Sequence, residues 1–243
     1  YHAGFVLGPR INAGGRVGRA DLGSVLLASN DPAQAEAISA ELEVFNAERR
    51  AIEAMVQEEA IAGLEAAGEP PAGIVIAIGR NWHAGVIGIV ASRLKDRYQR
   101  PSLVIAIDQN GQGKGSARSI KGVDLGAAVI AARQAGLLIN GGGHAMAAGI
   151  TVSEDKCDDL IQFLNERLAP QVAALGAVRG LGIDGVLNVQ GANTELVDLL
   201  QQAGPFGAGN SEPRFAIADA RVIKANIVGQ GHVSCIFTGR DGG

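Results

Sequence analysis

Apolar and polar positions change rhythm along the chain. From Asp31 to about Leu64 the apolar residues recur at helical spacing. Ile38, Leu42, Phe45, Ile52, Val56 and Ile61 form one seam in an otherwise acidic surface. Asn30 or Asp31 is placed to cap this helix, with Pro32 in its first turn. At 1.5 Å per residue it would span about 50 Å, and the pattern fits either a long packing helix or a linker between two domains. A short helical pattern, Leu22 to Ala28, precedes it. Beyond the break at Gly68-Glu69-Pro70-Pro71, apolar runs of strand length alternate with helical ones. The spacing predicts strands at Gly73 to Ile78, Ser102 to Ile107, Gly113 to Arg118 and Gly149 to Val152. It predicts helices at Ala84 to Tyr98, Asp124 to Ala135 and Glu154 to Ala173, with a glycine-rich turn before the strand at Gly149. This alternation implies an α/β domain over about residues 72 to 170. From Leu181 the segments shorten to extended runs at Ile183 to Val189, Phe215 to Ile227 and His232 to Phe237, with one helix near Thr194 to Gln202.

Composition sharpens this picture. Glycine supplies 35 of 243 residues, roughly twice its usual share of about 7%, which favours turns and close approach of backbone to a ligand. Aromatics at 4% are too few for extended base stacking to dominate an interface. Cys157 and Cys235 lack metal-ligand spacing and suit a reduced, cytoplasmic setting. No apolar run is long enough for a membrane helix, so no membrane partner is expected. The net charge of −4 argues against a general nucleic-acid binder, but it conceals segregation. Residues 31 to 70 carry two bases and ten acids, whereas residues 71 to 151 carry nine bases and three acids. The basic middle segment is the place for an anion.

Three clusters in or near that segment carry candidate chemistry. Asn81-Trp82-His83-Ala84-Gly85-Val86-Ile87-Gly88 follows a strand and opens a helix, where free N–H groups form an anion site. His83 is there either a polar cap or a phosphate contact. Lys114, Ser116 and Arg118 alternate in a strand and project to one face, a set suited to an oxyanion; the other reading is a solvated basic edge. Gly141, Gly142 and Gly143 before His144 permit a nest of backbone N–H groups and close substrate approach; the other reading is a structural histidine on a tight turn. Asp96, Asp108 and Asp124 are too scattered for a catalytic metal, and a Ser116–His144–Asp124 triad lacks its nucleophile-elbow context.

Taken in order, these strings resemble the bacterial RecJ single-strand-specific DNA exonucleases of the DHH phosphoesterase superfamily. Those that carry the resemblance are Asn81-Trp82-His83 with Gly85 to Leu94, Arg100-Pro101, Lys114 to Ser119, and Gly142-Gly143-His144 with Ala147-Ala148-Gly149. Gly8 to Arg16 is similar to the end of the family's catalytic domain, Asp31 to Gly68 to its interdomain helix, and Pro205 to Phe215 to its oligonucleotide-binding region. Ser211 stands where the family often has proline.

The resemblance implies an α/β DHH-associated domain preceded by a long interdomain helix and followed by a partial β-barrel (OB-like) domain. The implied divisions are 1–30 for a catalytic-domain remnant, 31–70 for the helix, 71–175 for the substrate-binding domain and 176–243 for the partial barrel. It implies 5′-to-3′ degradation of single-stranded DNA by an intact enzyme using Mn2+ or Mg2+. The metal-binding strings do not occur here, so this portion is expected to bind no metal and to be inactive alone. It implies single-stranded DNA with a 5′-phosphorylated end as partner. Arg16, Lys114, Ser116 and Arg118 are implied phosphate contacts, Gly142, Gly143 and His144 substrate contacts, and Trp82 and His83 cleft residues. A DHH-family phosphodiesterase for oligonucleotides or cyclic dinucleotides, and a non-enzymatic interaction module, remain as alternative readings.

Overall fold

The computed structural model describes residues 2–68, 71–176, 181–207, 209–229 and 232–239. Glu69 and Pro70 of the break after the long helix, and Ala208 of the Pro205 to Phe215 string, lie outside these residues. The chain divides into two compact units, Tyr1–Ala177 and Val178–Gly243.

The first unit opens with short helical pieces: a π-helical turn (His2–Leu7), α1 (Gly8–Ile11), α2 (Gly14–Val17) and α3 (Leu22–Ala28). The long helix α4 (Pro32–Ala66) follows, its start set by the Asp31 carboxylate, which accepts the Ala33 N–H at 2.9 Å. Its buried strip is Ile38, Leu42, Asn46, Arg49, Glu53, Val56 and Ala60. The expected seam is thus displaced by a polar centre, with Phe45, Ile52 and Ile61 only partly buried. Arg49 makes this possible by pairing with the Glu53 carboxylate one turn on and donating to Asn46 Oδ1 at 2.9 Å.

A five-stranded sheet in the order β1-β2-β3-β5-β4 forms the centre. The strands are β1 (Val75–Arg80), β2 (Ser102–Ile107), β3 (Gln112–Arg118), β4 (Asn140–His144) and β5 (Ala147–Ser153). β1 and β2 are parallel, joined through helix α5 (Ile87–Tyr98), and the other pairs are antiparallel. One face buries Leu103, Ile105, Ile107, Ile150 and Val152 against α6 (Leu125–Gln134) and α7 (Cys157–Ala174). Gly113 and Gly115 point to this face, where a Cβ would meet isoleucine side chains within 3 Å. On the other face Val104 and Ala106 lie beneath Val90, Ala91 and Leu94 of α5, with Val56 and Ala60 of α4 in the same cluster. Each fully buried leucine or valine contributes about 1.5–3 kcal/mol to holding these layers. Helix α5 covers β2 and part of β3 on this face, and the β5-β4 portion stays open.

The sequence pattern and the structure differ in places. Helix α5 begins at Ile87, because residues 83–86 form a turn closed by Val86 N–H donating to His83 O at 3.1 Å. The expected glycine-rich turn is strand β4, joined to β5 through the two residues Ala145 and Met146.

The second unit holds a parallel pair, β6 (Gly185–Leu187) with β7 (Phe215–Ile217), helix α8 (Thr194–Gln202) and an antiparallel hairpin of β8 (Arg221–Val228) and β9 (His232–Thr238). The expected strand Phe215 to Ile227 is broken, with Asp219 in the left-handed region at φ 57°. Its sheets are open, as expected of a partial OB-like barrel.

Candidate nucleic-acid interface

Alternation along β3 places Lys114, Ser116 and Arg118 on the sheet face that α5 leaves partly open. Register then fixes their neighbours. Arg118 pairs with Ala147, which pairs with His144; Ser116 with Gly149 and Gly142; Lys114 with Thr151 and Asn140. A cavity of about 580 Å3 lies over this face, bounded on one side by the start of α5 and by Arg16.

Glycines set the approach of its walls. A Cβ on Gly88 would stand 3.0 Å from both Arg118 Nη2 and Ser116 Oγ, so the bare helix backbone lets these side chains reach under it. A Cβ on Gly85 would lie 2.0 Å from Arg16 O, and Arg16 Nη1 donates to Gly85 O at 3.1 Å. This contact carries the segment around Arg16 to the cavity. Arg118 Nη1 donates to Ser116 Oγ at 3.1 Å and to Ala117 O at 2.8 Å, which orients the guanidinium. Burial, and secondarily the Arg16 charge nearby, push the Arg118 pKa below its ordinary value. Val86 provides no side-chain cap for α5, so the N–H groups at Ile87 and Gly88, both in the cavity wall, are left for a ligand or water.

The lining contains no carboxylate. Three cations therefore converge with a hydroxyl and a helix N-terminus without an acid to neutralise them, a disposition that favours an anion. The residues do not fit Mn2+ or Mg2+, because three cationic side chains repel a metal ion and no carboxylate is present to hold it. Among the described residues no group of three or more His, Cys, Asp or Glu is placed to hold a metal.

The structure brings Arg16, Lys114, Ser116, Arg118 and Gly142 into one cavity, with Gly85, Gly88 and Gly141 in its walls, and places Trp82, His83, Gly143 and His144 outside its lining. Trp82 lies against the Gly79 backbone, where a Cβ would come within 2.0 Å of the indole, and donates from Nε1 to the Glu59 carboxylate of α4 at 2.7 Å. It borders a separate cavity of about 330 Å3 that shares only Ala84 and Lys114 with the first. His83 accepts the Gly85 N–H through Nδ1 at 3.1 Å and so holds the turn before α5. Gly143 is required by the hairpin, since a Cβ there would lie 2.3 Å from Ala147 O. His144 accepts the Met146 N–H through Nδ1 at 3.3 Å, with Gly126 of α6 packed on its backbone. Asn140 and Thr151 were not singled out from the sequence, because the pairing of β5 with the distant strand β3 is what brings their row beside Lys114.

Residues 71–169 match the DHHA1 domain and residues 183–242 the RecJ OB domain. The single-stranded-DNA-specific exonuclease RecJ of Haemophilus influenzae is 35% identical over 250 residues, covering 99% of this chain and 43% of that protein. That of Bacillus subtilis is 37% identical over 229 residues, covering 92% of this chain and 29% of that protein. The crystal structure of RecJ with Mg2+ from Thermus thermophilus superposes with a TM-score of 0.82 at 30% identity, covering 98% of this chain and 36% of that one. The chain thus spans less than half the length of these relatives. It belongs to the RecJ family of the DHH superfamily and aligns with that family's DHHA1 and OB regions.

Proposed function

We propose that the cavity receives the 5′-phosphate of single-stranded DNA, and that this chain is the substrate-positioning portion of a 5′-to-3′ single-strand-specific exonuclease of recombination and repair. The convergence of Arg16, Lys114 and Arg118 with Ser116 at the α5 N-terminus, without a carboxylate, carries this reading. A terminal phosphomonoester brings close to two negative charges and three acceptor oxygens, against one charge for an internal diester, so a site this cationic favours the strand end. Ser116, Arg118 and Arg16 hold that phosphate, and the Gly88 N–H completes its cage. Gly142 leaves the floor bare for the nucleotide, and His144 lies one register row to the side. Trp82, His83 and Gly143 serve as framework.

In the intact enzyme, Mn2+ or Mg2+ held elsewhere would supply the hydrolytic chemistry. This portion would bind strands without cleaving them. We assign residues 71–175 to substrate binding, 176–243 to a partial nucleic-acid-binding barrel, 31–70 to a connecting helix and 1–30 to the edge of the catalytic domain. A cytoplasmic setting accompanies this reading; no helix among the described residues is long and apolar enough to cross a membrane.

Fluorescence anisotropy at low salt, with one short single-stranded DNA carrying either a 5′-phosphate or a 5′-hydroxyl, tests the reading. Preference for the phosphorylated strand is expected; equal binding of the two would refute it.

A further inference from the structure

The cavity bordered by Trp82 opens where β1 and β2 end and β3 begins, and it adjoins the phosphate cavity at Lys114 and Ala84. At about 330 Å3 it is at the small end of the range for ligand sites, about 300–1,000 Å3. Local backbone gives it its shape. Asn81 lies in the left-handed region at φ 61°, which asparagine tolerates better than most residues, and its N–H donates to Ile107 O at 3.1 Å. The chain turns there, so that the Trp82 indole rests on the bare Gly79 backbone with Nε1 tied to the Glu59 carboxylate. Trp82 is therefore a fixed wall.

The rest of the lining is chiefly amide. Asp108 is turned to its own loop, where it accepts the Asn110 and Gln112 N–H groups at 2.8 and 2.9 Å. Among the described residues, the side-chain amides of Asn81, Gln109 and Gln112 have no hydrogen-bond partner. A primary amide both donates and accepts, and so does the Watson–Crick edge of every nucleobase. Such a lining suits a base and separates the four of them little, as sequence-independent binding requires. The spacing also fits. Lys114 stands two residues along β3 from Ser116, about 6.6–7 Å away. Six bonds, P–O5′–C5′–C4′–O4′–C1′–N, join the phosphorus of a nucleotide to its base, a reach of at most about 7 Å. A phosphate held at Ser116 thus brings its base to Lys114, with Gln112 two residues further on.

Resting on the terminal-phosphate reading above, we propose that this second cavity takes the base of the 5′-terminal nucleotide. Lys114 marks the passage between the cavities, the amides of Gln112, Gln109 and Asn81 meet the edge of the base, and Trp82 bounds it. Seating the base there leaves the 3′ oxygen of the same sugar free to carry the strand away from the sheet.

The test compares thymidine 5′-monophosphate with 1,2-dideoxyribose 5-phosphate, the same sugar phosphate without a base. Each is titrated against a fluorescent 5′-phosphorylated strand on the full 243-residue chain, and tryptophan emission is recorded with each alone. The chain has one tryptophan, so that emission reports on the Trp82 wall. Thymidine 5′-monophosphate is expected to compete about tenfold better than the base-free phosphate, a factor within the range for one bound base. It is expected to change the Trp82 emission, which the base-free phosphate leaves as it was. With Gln109→Ala and Gln112→Ala together, the preference is expected to fall towards one. Equal competition by the two compounds would overturn the base site alone. So would a full preference in the double variant, or a bound thymidine 5′-monophosphate that leaves the Trp82 emission unaltered. Failure of both compounds to compete would overturn the terminal-phosphate reading and the base site with it.

Discussion

Arg118 concentrates the chemistry of the site in one side chain. It is partly buried, its charge is disfavoured by burial and by Arg16, and no acid compensates it. An anion between the two arginines removes that penalty, so binding gains what folding concedes. Arg118→Gln is expected to weaken binding of a 5′-phosphorylated strand at least tenfold, since a charged hydrogen bond carries about 1.5–3 kcal/mol. Thermal stability should hold or rise slightly, because an uncompensated charge leaves the interior. Anisotropy and a melting curve on the same preparation check both; a large loss of stability would mean that Arg118 supports the fold rather than the ligand. Ser116 and Arg118 were legible in the sequence because alternation within one strand put them on one face. Asn140 and Thr151 were not, because their row meets Lys114 only through the register between β3 and β5, which are distant in sequence.

At the scale of elements, α4 shows why its buried strip was only partly readable. Ile38, Leu42 and Val56 announce themselves by spacing, but Asn46, Arg49 and Glu53 look like surface until their mutual pairing is seen. Burial lowers the Arg49 pKa and Glu53 opposes that shift, so the pair stands or falls together. Arg49→Met alone should cost about 3–5 kcal/mol, leaving Glu53 buried with only Arg93 at 3.6 Å for a partner. Arg49→Met with Glu53→Met should recover most of that loss, as urea denaturation of the three proteins would show. Equal stability of the single variant and the parent would mean that the pair is not load on the helix at all. Strand β4 was hidden for another reason. Glycine has little strand preference and Gly141-Gly142-Gly143 shows no alternation, so the run reads as a turn until β5 supplies its partner. Within the strand the three glycines divide by face and position: Gly141 packs beside Leu138 and Val129, Gly143 admits the hairpin, and Gly142 opens to the cavity.

Over the whole molecule, the fully buried apolar residues all belong to the first unit, from Ala13 to Leu168, among the described residues. In the second, every residue of β8 is exposed, as are Val233, Ile236 and Phe237 of β9. Amides of the second unit should therefore exchange hydrogen well before those of β2 and β3. Mass-resolved exchange would show this, and equal protection of both units would contradict it. The segregation of charge was visible from the start: nine bases and three acids over residues 71 to 151 beside an acidic helix. What the fold adds is the convergence of that charge with Arg16 in one cavity lacking a carboxylate. The most direct test of that assignment is the structure of this chain bound to a short 5′-phosphorylated single strand. The terminal phosphorus is expected beneath the α5 N-terminus, with its oxygens within hydrogen-bonding reach of Ser116 Oγ and the Arg118 guanidinium. A strand bound with its 5′-phosphate outside the cavity, or with its 3′ end in it, would contradict the account.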